Sequence, residues 1–271
     1  MLKNKIILLL LMMALIMSTA CMNKESKKPK KVETKERAPK KLVMVLEELD
    51  RVLSSVDKIE ETSKLSQMEF ESLQTKTEKK EGKSKEDKDE KKETEDKVSN
   101  KDIELTKQWK AMDSQIDKIH RDWNSYEIES RKKGASTEKG KEFKHSLNYL
   151  TTAVENRKTS EIVDATSKSI LALAYYFDLY KDDINGDLSR IKHVVLQAYL
   201  NPDGGKELLD KTEDYVLRLR QKLEKDKAKL KDLDKLSLSI KDMEQSLKEN
   251  SDKLLGIKKD IILKNIDSLK E

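Results

Sequence analysis

The sequence predicts an all-α fold: an elongated antiparallel helical bundle with a long C-terminal coiled-coil-like helix. Three observations point there. Charged residues make up 40% of the 271 positions and aromatics only 4%. Just 7 glycines and 3 prolines are present, too few for the turns of a sheet protein. From residue 42 onward apolar residues recur in steps of four and three, the period of one helix face. An apolar share of 35% is low for a thick core, so burial is expected along seams between helices, with no deep catalytic pocket.

The elements follow in chain order. Lys3 and Lys5 precede the apolar run IILLLLMMALIM at 6–17, which is shorter than the ~20 residues of a bilayer span and reads as an export signal. Ser18, Thr19 and Ala20 supply the small residues that a signal peptidase needs, and Cys21, the sole cysteine, follows at once. This STAC resembles a bacterial lipobox, with Ser18 where the usual box has leucine, as in the relaxed boxes of spirochaete lipoproteins. The resemblance implies a lipoprotein signal peptide at 1–20. It also implies a mature chain beginning at Cys21, diacylated through sulfur and carrying a third acyl chain, such as palmitate, on its amino group. Several acyl chains anchor stably where one would not.

Residues 21–41 form the acylated cysteine and a basic tether. Between Met22 and Lys41 stand nine Lys or Arg against three Glu, with Pro29, Pro39 and almost nothing apolar to bury, so disorder is expected. Loss of Lys3 and Lys5 with the signal lowers the formal charge from +5 to +3.

Residues 42–75 read as one amphipathic helix on Leu42, Leu46, Leu49, Leu53 and Val56. Residues 76–101 read as a charged linker: 76–97 carry nine Lys against nine Asp or Glu, which fits either a flexible spacer or a solvated helix held by charge pairs. Residues 102–204 read as a helical bundle. Its first seam runs through Leu105, Trp109, Met112, Ile116, Ile119, Trp123 and Tyr126. RKKGASTEKGK at 131–141 breaks that helix with two glycines and adds a basic loop. A third helix starts at Phe143, and Thr159-Ser160 with Glu161 suggests a fresh N-cap. ILALAYYFDLY at 170–180 is apolar nearly all round and is expected at the centre. Leu188, Ile191, Val195 and Ala198 precede the break NPDGG at 201–205. Residues 205–271 then read as one long helix with its seam on Leu219, Leu223, Leu230, Leu233, Ile240, Leu247, Leu254 and Ile261, a rod of roughly 100 Å if unbroken.

No phosphate loop, nucleophile elbow or His-Glu-x-x-His is present, and the three histidines with Cys21 match no zinc spacing. The reading is non-enzymatic and calls for no cofactor or metal. The asymmetric feature is RLRQKLEKDKAKLK, where Arg218, Arg220, Lys222, Lys225, Lys227, Lys229 and Lys231 face only Glu224 and Asp226. On a helix these cations form a basic ridge able to neutralise phosphates or sulfates without reading sequence. A soluble lysine-rich coiled coil accounts for the same residues.

The lipobox-like STAC, the lysine-rich tether and the Lys, Glu, Ile and Leu bias together resemble surface lipoproteins of Lyme-disease spirochaetes (Borrelia). The long helical bundle in turn resembles their paralogous family twelve of helical lipoproteins. That resemblance implies an outer-membrane lipid anchor facing the cell exterior, an all-helical exposed domain and non-specific DNA binding. The expected partners are the membrane, through the acyl chains, and DNA or a sulfated polyanion. A second reading is a host-protein-binding adhesin or immune-evasion lipoprotein, which would expose Trp109, Trp123 or the Tyr175–Tyr180 cluster. A third is a periplasmic structural tether, and self-association is compatible with each.

Overall fold

The computed structural model describes residues 36–80, 99–181 and 183–270. Every regular element among them is helical, and they pack as an all-α bundle. The expectations for the signal, for Cys21, for 22–35 and for 81–98 lie outside the described residues.

Helix α1 spans Lys40–Lys64, with Pro39 as its extended N-cap, so helix replaces the last residues assigned to the tether. The reason is local docking: the Ala38 N–H donates to Asp183 Oδ2 (3.1 Å) and Lys133 pairs with Glu36. The single helix expected over 42–75 is two. Leu65 turns extended, and Ser66 and Glu69 form a reciprocal capping box that starts α2, Gln67–Lys80. Ser66 Oγ accepts from the Glu69 N–H (3.3 Å), while Glu69 Oε2 accepts from the Ser66 N–H (2.8 Å). Residues 76–80, assigned to the linker, thus belong to α2.

Helix α3, Asn100–Lys132, is capped by Ser99, whose hydroxyl accepts from the Asp102 N–H. It runs antiparallel to α1, as the pairs Glu48–Lys118, Ser55–Gln115 and Thr62–Gln108 show. Gly134 takes φ +99°, a conformation costly for any side chain, and turns the chain into α4, Thr137–Glu155. The second glycine expected to break the helix does not: Gly140 sits inside α4 against Glu127 and Tyr176. Helix α5, Thr159–Phe177, begins where Thr159-Ser160 places it, though its N-cap residue is Lys158 and no side chain caps it. Helix α5 packs on α1, α4 and α6, Asn185–Leu200, and is the central helix that its apolar surface predicts.

The C-terminal segment departs most from expectation. Residues 205–271 are not one rod but α7 (Gly205–Asp210), α8 (Thr212–Lys222), α9 (Lys227–Ser246) and α10 (Asp252–Lys270). Two polar signals break the seam. Asp226 adopts an extended backbone and caps α9, its Oδ1 accepting from the Lys229 N–H (3.1 Å). Asn250 takes the left-handed region at φ 45°, and Ser251 Oγ accepts from the Leu254 N–H, so α10 folds back along α9. Asp242–Lys258, Ser239–Asn265 and Lys229–Leu269 mark this antiparallel hairpin. A lone amphipathic rod would leave its stripe wet; folding back buries Leu233, Leu236, Ile240 and Met243 with Leu255, Ile262 and Ile266.

Two apolar clusters result. One joins α1, α3, α4 and α5 around Trp123, Tyr126, Phe143 and Tyr176, with Trp123 ring centroids 4.1 Å from Phe143 and 4.9 Å from Tyr176. The other joins α6 to α7–α10, and α6 serves both by giving Leu196 to the first and Ile191 and Val195 to the second. Asp226→Ala should lower stability by about 1 kcal/mol through loss of the α9 cap, read as a lower midpoint in chemical denaturation.

Candidate polyanion-binding surface

The seven cations of RLRQKLEKDKAKLK do not form one helical ridge, because α8 ends at Lys222 and α9 begins at Lys227. Four of them are engaged. Arg218 donates from Nε to Asp187 Oδ1 (2.8 Å) and lies 4.8 Å from the Tyr215 ring centroid. Lys222 donates to Asp187 Oδ2 (3.0 Å) and to the Asp183 carbonyl (2.9 Å). Arg220 pairs with Asp234, and Lys229 donates to the Leu269 carbonyl. Lys225, Lys227 and Lys231 are exposed, with no carboxylate partner among the described residues. The usable charge is therefore smaller than the sequence count, and it centres on the α8–α9 turn.

That turn has company. The antiparallel order brings the starts of α1, α4, α6 and α9 to one end of the bundle, with the finishes of α3, α5, α8 and α10. The contacts that tie this end together are Ala38 to Asp183, Lys133 to Glu36, the Ser136 N–H to the Tyr175 hydroxyl, and Lys222 to Asp183. Two other basic stretches of the sequence, residues 36–41 and the 131–141 loop, arrive here beside the α8–α9 turn. Exposed cations at this end without a carboxylate partner among the described residues are Arg37, Lys40, Lys41, Lys132, Lys181, Lys225 and Lys227. They face Glu129, Glu138 and Glu224; Asp183 and Asp226 also sit here, engaged by backbone N–H groups.

The opposite end has the reverse balance. There Glu61, Glu155, Asp203, Glu207, Glu249 and Asp252 are exposed without a cationic partner among the described residues, against Lys211, Lys248 and Lys253. Lys101 there caps carbonyls at the end of α1, and Arg157 lies over the Trp109 ring. The described bundle is thus charge-polarised along its helices. A groove of about 350 Å³ between α8 and α9 adds nothing to the basic end, since Asp210, Glu213 and Glu244 outnumber Arg220 and Lys241 in its lining.

Asp187 is the residue that sequence reasoning missed. Its side chain is only 2% exposed, and Arg190, Arg218 and Lys222 converge on it, binding α8 to α6. The aromatic residues that would mark an adhesin face pack inward: Trp123, Tyr176, Phe177 and Tyr180 are buried, while Trp109 and Tyr175 are half-buried. Among the described residues no helix is long and apolar enough to cross a membrane, and no group of three or more His, Cys, Asp or Glu is placed to hold a metal. No protein-family model, curated protein or solved structure matches the chain.

Proposed function

We propose that the chain is a lipid-anchored helical lipoprotein of the outer membrane that acts without catalysis, by binding an extended polyanion at the basic end of its bundle. The observation that carries this reading is the gathering of Arg37, Lys40, Lys41, Lys132, Lys181, Lys225 and Lys227 at one end. Exposed cations at helix ends and turns neutralise phosphate or sulfate groups and release counterions without selecting a sequence. Duplex DNA is a suitable probe polyanion. The mature chain should retard DNA of any sequence, and if about four or five phosphates are neutralised the log–log salt slope should be near −4. Lys181→Glu/Lys225→Glu/Lys227→Glu should abolish the retardation. Free passage of DNA past the native protein even in low salt would refute the polyanion reading.

A further inference from the structure

We infer that the basic end is the face on which the bundle stands against an anionic lipid surface, headgroup phosphates being the polyanion it meets. The inference rests on the proposed anchor at Cys21. The described chain begins at Glu36, and Ala38 is fixed to Asp183 at the same end that carries Lys181, Lys225 and Lys227. A chain attached to a membrane through Cys21 therefore enters the bundle through its basic end. Residues 22–35 limit the separation of Cys21 from Glu36 to roughly 50 Å when fully extended. That bound permits contact with the surface as well as standing off from it, and the charge decides between them. Lysines near an anionic leaflet are attracted within about a Debye length, ~10 Å in 0.1 M salt. The acidic end, with Glu61, Asp203, Glu207 and Glu249, would be repelled by the same field on approaching the surface. Anchor point, attraction and repulsion act in one direction, so the bundle is oriented with α2, the α6–α7 turn and the α9–α10 turn outward.

The test uses the mature acylated chain on two kinds of vesicle, neutral phosphatidylcholine and phosphatidylcholine mixed with phosphatidylglycerol, with amide hydrogen exchange as readout. On the anionic vesicles, exchange in 36–41, 131–136, 178–184 and 222–227 should slow about tenfold relative to the neutral ones. The slowing should vanish in high salt and in the Lys181→Glu/Lys225→Glu/Lys227→Glu chain, whose helicity should stay native because those lysines are exposed and have no carboxylate partner among the described residues. Equal exchange on the two surfaces, or protection confined to the acidic end, would overturn the inference. So would protection of these segments by duplex DNA with none by anionic vesicles, an outcome that leaves polyanion binding intact. Loss of the chain from neutral vesicles refutes the anchor itself, whereas retention on both with equal exchange refutes only the orientation.

Discussion

Asp187→Ala should destabilise the protein by about 3 kcal/mol, measured as the shift in chemical denaturation. The carboxylate is buried, with Arg218 at 2.8 Å, Lys222 at 3.0 Å and Arg190 at 3.4 Å. Removing it strands positive groups around a cavity. The loss stays near the lower bound for a broken buried pair because each cation has a second recourse. Arg190 keeps Asp178, Arg218 is 44% exposed and can turn to water, and Lys222 keeps the Asp183 carbonyl. The same substitution leaves Arg218 and Lys222 without their carboxylate, so DNA retardation should strengthen while stability falls. A variant that lost stability and binding together would mean that Asp187 shapes the α8–α9 turn more than it neutralises it. A change below about 0.5 kcal/mol would show that the three cations are not held by this carboxylate.

Local charge counting could not foresee that arrangement. Within RLRQKLEKDKAKLK the acids are Glu224 and Asp226, but the acid that matters to Arg218 lies 31 residues upstream in α6. The helix faces were legible for the opposite reason, since their evidence is local. Leu42, Leu46, Leu49, Leu53 and Val56 are all buried, as are Met112, Ile116, Ile119, Trp123 and Tyr126. Where a stripe of period 3.6 is visible, the hydrophobic effect leaves one solution for that face.

Helix ends were less legible, because a stop needs only one or two polar residues that look like any solvated surface. The motif SQME at 66–69 carried a capping box inside an apparently continuous helix. Asp226 and the Asn250-Ser251 pair likewise stood in seam gaps that an unbroken coiled coil also tolerates. The seam was real at Leu219, Leu223, Leu233 and Ile240, but in α10 the buried face is Leu255, Ile262 and Ile266, one residue on from the expected Leu254 and Ile261, of which Ile261 is exposed. A seven-residue recurrence does not say whether a helix finds its partner in another chain, another segment or itself. Here the hairpin of α9 on α10, closed over α6, answers it. Convergence of the basic stretches at one end is a further step removed, since it depends on the direction of every helix between residues 36 and 231.

Asp50→Ala should cost about 3 kcal/mol and flatten the acid limb of the stability profile. Asp50 on α1 accepts from Lys192 of α6 at 2.7 Å and from Lys270 of α10 at 2.8 Å, so one carboxylate ties three helices together. Burial works to raise its carboxyl, but the two ammonium groups outweigh burial and hold it below the ordinary carboxylate range. Lys192, only 3% exposed, is also lowered, which in a lysine disfavours the charged form: burial pushes it down, Asp50 offsets part of that, and Lys270 adds repulsion. The two shifts agree once the cluster is counted, because Asp50 has two cations while Lys192 shares its carboxylate. A carboxyl depressed in the folded state contributes stability that is complete above its unfolded value of 3.8 and disappears as pH falls through the folded one. Native protein should thus weaken below about pH 4, and the Asp50→Ala chain, already lacking that contribution, should weaken less steeply there. Asp267, 3.7 Å from Lys192, limits the neutral-pH loss. The double replacement Asp50→Leu/Lys192→Met should recover most of it, since an apolar pair needs no desolvation of charge. Were the double variant as unstable as Asp50→Ala alone, the stranded ammonium would not be the cause, and the loss would lie in the packing of α1 against α6.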